Sequence, residues 1–281
     1  MISSLIISEG VSLHVHDWPL PPGGGEPIGT VVLVHGLGEH IGRYEHVASN
    51  LNEWGWNVVG YDLRGHGRST GARGRLATAD DLFTDLALVI EQARSRYSGR
   101  LVLFGHSMGG AVAAAFAAGG AASPHPTWWR PIDGLVLSSP ALDPGMTGVQ
   151  KALLAMLGRV APNLAVSNGL KASWISHDPA VVAAYKADPL VHNRVTPRLA
   201  QAIVDAGRVA ARRAPRWTVP TLLVYSANDR CVCADGSVEF ARAAPAVVVT
   251  NHGFPSLAHE IFNEPERDQV FAIVKRWLNQ Y

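Results

Sequence analysis

A mainly parallel β-sheet covered by helices on both faces is the fold class this sequence predicts, and three observations carry that prediction. Short β-branched runs alternate with amphipathic stretches along most of the chain. Within the segment Gly105-His106-Ser107-Met108-Gly109 a serine stands between glycines, where an apolar strand gives way to a helix-favouring run. From 142 to 220 the alternation stops, and only helical patterns separated by Pro and Gly remain.

Taken in order, Val11–Trp18 alternates apolar and polar residues as a half-buried strand does. The Pro-Pro-Gly-Gly-Gly stretch at 21–25 reads as a turn or short flexible connection. Residues 30–34, 57–60, 101–104, 135–138, 221–225 and 246–250 have the composition of strands buried on both faces. The spacing of Leu82, Leu86, Val89, Ile90 and Ala93 predicts a helix over 80–97, with Thr78 and Asp81 as its capping pair. A second amphipathic helix is predicted over 265–279.

The chain therefore divides into a core of residues 1–141 and 221–281 and an insertion of residues 142–220. The insertion follows the strand after the Ser107 helix, so it would sit over the C-terminal ends of the strands as a helical cap. An extra helical layer packed on the core is the competing reading. Its first helical pattern, 149–160, sets Val149, Ala152, Leu153, Met156, Leu157 and Val160 on one stripe. That stripe either meets a lipid surface or packs down on the cap's own helices.

Bulk properties exclude several classes. The 281 residues are 47% hydrophobic, enough for a large core in one domain or one plus an insertion. A net charge of +1 without a basic stripe gives no support for a nucleic-acid partner. Residues 1–10 lack the basic and apolar regions of a signal peptide, and no run approaches a membrane span in length. Cys231 and Cys233 are too close for an unstrained disulfide and make no recognisable zinc pattern with the histidines. The expectation is a reduced, cytoplasmic protein that needs no metal.

The Gly-x-Ser-x-Gly pattern has a steric logic. Ser107 sits in a tight turn in which side chains at 105 and 109 would collide. The turn lifts its hydroxyl clear of the sheet and leaves the Met108 N–H at a helix N-terminus, where negative charge is favoured. A serine nucleophile needs a base, and the base an orienting acid. In the order Ser…Asp…His, Asp229 lies just past the 221–225 strand and His259 lies in a loop before the last helix. Asp235, at the expected start of a helix, and Asp143 compete for the acid. His252 reads as structural or solvent-facing, and His14, His16, His125 and His192 as ordinary residues. In His35-Gly36-Leu37-Gly38 the glycines let the backbone curl so that the Leu37 N–H points beside that of Met108.

These residues carry a resemblance to α/β-hydrolases of the monoacylglycerol lipase and lysophospholipase type. The matching segments are His35-Gly36-Leu37-Gly38-Glu39-His40 with Arg43-Tyr44, Tyr61-Asp62-Leu63-Arg64-Gly65-His66-Gly67-Arg68-Ser69, and Gly105 to Gly110. Further on come Tyr185-Lys186-Ala187-Asp188-Pro189-Leu190, Asp229-Arg230 and His259-Glu260-Ile261-Phe262-Asn263-Glu264. The resemblance implies an α/β-hydrolase fold: a mostly parallel eight-stranded sheet flanked by helices, with a helical cap. It implies Ser107, Asp229 and His259 as the triad, the Leu37 and Met108 N–H groups as the oxyanion hole, and no cofactor. It also sets Glu39, Arg43, His106 and Tyr185 near a polar head group, although Glu39 and Arg43 could form a structural ion pair and Tyr185 could simply pack. Residues 62–69 read as a structural loop beneath the site. The implied activity is serine ester hydrolysis of a monoacylglycerol, a small-molecule lipid ester, with peripheral contact to a lipid surface through the cap. A general carboxylesterase, a lysophospholipase, an acyltransferase and a catalytically silent receptor are the alternatives. Cys231-Val232-Cys233 departs from the pattern beside the acid.

Overall fold

A computed structural model describes residues 2–21 and 25–280. The chain opens with β1 (Ile2–Ser8), β2 (Val11–Trp18), β3 (Gly29–Val34), α1 (Glu45–Glu53), β4 (Trp56–Tyr61) and α2 (Asp81–Arg96). It continues with β5 (Arg100–His106), α3 (Met108–Ala118), β6 (Gly134–Ser138), α4 (Gly148–Val160), β7 (Val166–Ser167) and α5 (Pro179–Ala187). The last elements are β8 (Arg194–Val195), α6 (Pro197–Arg213), β9 (Thr221–Ser226), α7 (Ala234–Ala243), β10 (Val249–Phe254) and α8 (Arg267–Leu278). Among the described residues, eight strands form the main sheet in the order β1-β2-β4-β3-β5-β6-β9-β10. β2 runs antiparallel to both neighbours, and every pairing from β4 to β10 is parallel.

The period of two along each strand assigns its apolar residues to opposite faces. In β3 and β5, Val32, Val34, Leu101 and Leu103 pack with α2, α3, α6 and α7, whereas Val31, Leu33, Val102 and Phe104 pack with α1 and α8. Both faces are thus covered, which is why these strands read as continuous apolar runs rather than as alternating ones.

Two elements differ from their sequence expectation. β1 was not anticipated: Leu5-Ile6-Ile7 is a short apolar run among serines, and at the sheet edge Leu5 and Ile7 point to solvent; it is held by the hairpin through Glu9 and Gly10, both at positive φ. The final strand lies at 249–254 instead of 246–250. The Pro245 carbonyl accepts from the Val248 and Val249 N–H groups, so the apolar run straddles a turn that leaves Val247 exposed. The turn expected at 21–25 falls largely on residues 22–24, outside the described residues. The predicted α2 face is buried, and Asp81 accepts from the Thr78 hydroxyl at 2.5 Å and the Ala77 N–H at 2.6 Å.

Between β6 and β9, α6 lies against α3 and buries Leu199, Ile203 and Ala206, with Gly207 so close that a Cβ there would stand 2.2 Å from the Leu142 carbonyl oxygen. α4 touches α6 and begins with a capping box between Thr147 and Gln150. Within α4 the buried side chain is Leu154, not the 149–160 stripe: Val149, Leu153, Met156 and Val160 are exposed and Leu157 is half-buried. None of the side chains of α5 is buried.

The loop 62–69 is tied to α2 by charge. Arg64 binds Asp85 through two hydrogen bonds of 2.6 Å and Asp81 at 2.7 Å, with both carboxylate side chains 0% exposed. Replacing Asp85 with Ala leaves a buried guanidinium short of one carboxylate. The expected loss of unfolding free energy is about 3 kcal/mol. Chemical denaturation reads it directly, and a loss below ~1 kcal/mol, the scale of a surface pair, would contradict this account.

Candidate active site

Ser107 joins β5 to α3 with φ 53° and ψ −120°, a left-handed backbone that an L-residue adopts only under strong constraint. The glycines around it are required by contact. A Cβ on Gly109 would lie 2.2 Å from the Val34 carbonyl oxygen, and one on Gly105 would lie 2.4 Å from the Gly109 carbonyl oxygen. The Ser107 N–H donates to the Ser138 carbonyl at 3.0 Å, while its own carbonyl accepts from Ala111 and Ala141. These bonds pin the turn between β5, α3 and β6.

Asp229, in the loop after β9, accepts from His259 Nδ1 through Oδ2 at 2.6 Å. Its other oxygen accepts the N–H groups of Cys231 and Val232 at 2.7 and 3.1 Å. Neither rival acid is placed there: Asp143 Oδ1 accepts from Gly145 N–H, and Asp235 lies in the first turn of α7. Burial alone would lower the His259 pKa, but the charge and hydrogen bond of Asp229 override it and the net shift is upward. The Asp229 carboxyl is held below its ordinary value: burial would raise it, and the His259 charge and the three hydrogen bonds outweigh that. The His106 ring lies 4.8 Å from the His259 ring, tilted 52° to it, and contacts Ser138 Oγ at 3.0 Å through Nδ1. Burial, then the neighbouring His259, pushes its pKa down to about 4, so this ring stays neutral at pH 7.

The loop after β3 is buttressed from below. Buried His35 takes the Leu63 N–H on Nε2 at 2.9 Å and bonds the Gly36 carbonyl through Nδ1 at 2.8 Å, which makes Nδ1 the protonated nitrogen of a neutral ring. Asp62 accepts from the Ile41 and Arg68 N–H groups, both at 2.8 Å. Above these contacts, the Leu37 and Met108 N–H groups have no acceptor among the described residues.

Glu39 and Arg43 do form an ion pair, at 2.6 Å, and the pair belongs to a larger cluster. Glu39 Oε1 accepts from the Gly36 N–H and the Tyr44 hydroxyl, both at 2.7 Å. Arg43 makes a two-point contact with Glu260 at 2.7 and 2.6 Å, and its guanidinium lies 4.8 Å over the Tyr185 ring. Burial opposes the Glu39 charge, yet Arg43 and the neighbouring groups hold its pKa at about 2. Burial, then the Glu39 charge, moves the Tyr185 hydroxyl up to about 12.

Two cavities meet at Ser107. A small one is lined by Glu39, His106, Tyr185, His259 and Glu260, with Leu37, Leu170 and Ile175 among its apolar residues. A larger one of about 540 Å³ is lined by Leu37, Met108, Met146, Leu170 and Ile203, with Gln150 and Asn168 among its polar atoms. Arg43 lines neither; it stands behind Glu39. Cys231 lines both cavities, whereas Cys233 lies against Gly145 at the start of α7. Sequence reasoning placed Glu264 in a matching segment but gave it no role; it is a fully buried carboxylate that accepts the Ala258 N–H, the His177 N–H and ring, and the Ser176 hydroxyl. The same reasoning passed over Trp174, whose carbonyl accepts the His259 N–H and whose ring lines the larger cavity. Trp174 has no local pattern by which to find it, and the segment that contains Glu264 gives no sign of the partners it gathers.

A family model described as serine aminopeptidase, S33, matches residues 25–266. The chain is 38% identical over 258 residues to a monoacylglycerol lipase of Mycolicibacterium smegmatis, covering 90% of this chain and 89% of that protein. The crystal structure of a Paleococcus ferrophilus monoacylglycerol lipase superposes with a TM-score of 0.82 at 34% identity, over 95% of this chain and 98% of that one. A soluble variant of monoglyceride lipase from Saccharomyces cerevisiae, solved with a substrate analogue, shares the fold with a TM-score of 0.86 at 22% identity, over 99% and 94% of the two chains.

The raised His259 pKa has a definite sign. Such a group adds stability that is complete below its unfolded pKa of about 6.5 and is lost as pH rises through the folded value. An NMR titration should therefore find the His259 imidazole above that ordinary value, and Asp229→Asn should bring it down by removing the charge. A wild-type midpoint below the ordinary value, or one that Asp229→Asn does not lower, would contradict the geometry.

Proposed function

The chain belongs to the serine aminopeptidase S33 family of α/β-hydrolases, and on that premise we propose that it hydrolyses monoacylglycerols to fatty acid and glycerol through an acyl-enzyme on Ser107. The observation that carries this reading is the 2.6 Å Asp229–His259 pair beside a strained serine, on a wall shared by a small cavity with charged and polar groups and a larger, mainly apolar one. Ser107 Oγ attacks the ester carbonyl while His259 takes its proton, and Asp229 holds the imidazole in the productive tautomer. The Leu37 and Met108 N–H groups receive the developing oxyanion. Collapse expels the glycerol oxygen, which takes the proton from His259. Water then attacks the acyl carbon by the same route, returning the proton to Ser107 and releasing the acid.

The acyl chain occupies the cavity of about 540 Å³, within the roughly 300–1,000 Å³ typical of small-molecule sites. The glycerol hydroxyls face Glu39, His106 and Tyr185, with Arg43 fixing Glu39 in place. An uncharged head group suits this end. The two carboxylates lining it, Glu39 and Glu260, are already bound to Arg43, so the ammonium group of a peptide would find no free acid there.

Within the insertion 142–220, between the core segments 1–141 and 221–281, α4 and α5 act as the cap, whereas α6 packs on α3 as a layer of the core. No helix among the described residues is long and apolar enough to cross a membrane. α4 instead presents Val149 at 80% and Val160 at 73% exposure, with Leu153 and Met156 beside them. Such a face suits peripheral docking on a lipid aggregate from which a single-chain ester is drawn.

Two experiments test these readings. Ser107→Ala should retain the fold and lose several orders of magnitude in turnover. The wild-type enzyme should prefer monoacylglycerols at least ~10-fold over p-nitrophenyl esters and lysophospholipid of equal chain length, a difference of about 1.4 kcal/mol in transition-state binding. Equal rates across that panel would make it a general esterase. For the cap, Leu153→Ser with Met156→Ser should spare the melting temperature and soluble-ester turnover, because both side chains are exposed, and selectively lower activity on vesicle-borne monoacylglycerol. A parallel fall on both substrates would rule out lipid docking.

A further inference from the structure

Cys231 has no part in the mechanism above, yet its thiol stands where the acid and base meet. The donor atoms of Asp229, Cys231 and His259 all lie within 4.8 Å of one another, the one such set of three metal-ligating groups found among the described residues. Cys231 is a free thiol on the wall of both cavities that meet at Ser107, so a small ion entering by the substrate route reaches it. The Cys231 N–H donates to Asp229 at 2.7 Å, which fixes the backbone that carries the thiol beside the acid.

We propose that Asp229, Cys231 and His259 form an inhibitory binding site for a thiophilic divalent cation such as Zn²⁺. The donor set is a mixed sulfur, nitrogen and oxygen one, which tetrahedral zinc accepts at about 2.3 Å to sulfur and ~2.0–2.2 Å to nitrogen and oxygen. Those lengths require donors roughly 3.2–3.8 Å apart, so wider separations, up to 4.8 Å, shrink around the ion, the 2.6 Å contact of His259 Nδ1 with Asp229 Oδ2 opens if Nδ1 is the ligand, and a fourth position is left for water. Binding forms a sulfur–metal bond as the Cys231 thiol proton leaves to the buffer, a proton on the ligating nitrogen of His259 moves to the other ring nitrogen or to the buffer, and no electron is transferred.

Inhibition follows from which groups are consumed, and this half of the inference rests on the triad reading given above. If Nδ1 of His259 is the ligand, its hydrogen bond to Asp229 is lost; if Nε2 is the ligand, the imidazole no longer has a lone pair for the serine proton. In both cases Asp229 serves the metal in place of the base. Cys233, which lies toward Gly145, takes no part.

The test has two arms, each referred to the same protein without metal. Co²⁺ added to the resting protein reads the site without turnover. A thiolate-to-cobalt charge-transfer band in the near ultraviolet should form in the wild type and in Cys233→Ser and be absent in Cys231→Ser. No band, or one that survives in Cys231→Ser, overturns the site itself. In the second arm Zn²⁺ should inhibit hydrolysis of a soluble short-chain ester, EDTA should restore it, and Cys231→Ser should raise the inhibiting concentration at least ~10-fold. A cobalt band accompanied by zinc-insensitive turnover overturns the inhibitory role and points to a base other than His259. Loss of zinc sensitivity in Cys233→Ser with retention in Cys231→Ser overturns the assignment to this cluster.

Discussion

The backbone of Ser107, fixed at φ 53° and ψ −120°, is the constraint on which the rest of the structure depends. Such a conformation costs about 1–3 kcal/mol and persists only where the surroundings over-determine it. Here the surroundings are close backbone approaches on every side of the turn. Gly109 lies against the Val34 and His35 carbonyls, Gly110 against Pro140, and Gly105 against the first turn of α3. The apolar faces that clamp β5 between β3 and β6 therefore hold the strain, and the strain sets the serine on the wall where two cavities meet.

Around that turn, the loops at the strand ends are joined by buried charge more than by apolar contact. Arg64 ties the loop after β4 to α2, Arg43 joins Glu39 to Glu260, and Glu264 gathers the 176–178 segment to the loop carrying His259. There is a physical reason for this. Such loops carry backbone groups that the sheet does not pair, and these need acceptors once covered. Glu264, Asp62 and Glu39 supply them, each carboxylate accepting at least one N–H group. A site built in this way keeps its dipoles oriented before substrate arrives, and each charged hub carries several contacts, so losing one would move more than one loop.

How much of this was legible in the sequence depends on the range over which each signal acts. The elbow is local: glycine spacing and a strand-to-helix transition suffice to place Ser107, and the order of Asp229 and His259 follows from the strands beside them. The parallel core strands were legible because burial on both faces leaves a continuous apolar run. β1 was missed because its apolar run, Leu5-Ile6-Ile7, is short and set among serines, and at the sheet edge Leu5 and Ile7 face solvent. β10 was misplaced because Pro245 caps a turn inside an apolar stretch. In α4 the expected stripe and the buried Leu154 lie on different faces, and periodicity alone cannot say which face meets a neighbour. The Arg43–Glu260 and Glu264–His177 links join residues 217 and 87 positions apart, and no pattern within one segment announces them.

Modification by a fluorophosphonate bears on the central claim most directly, because it reads the nucleophile itself and needs no assumption about substrate. The account predicts that one phosphonyl group is added per chain, that peptide mapping places it on Ser107, and that the labelling rate rises with pH as His259 becomes neutral. Asp229→Asn should slow that labelling without moving its site. A phosphonyl group mapped to any other serine, or a labelling rate that ignores the protonation of His259, would contradict it.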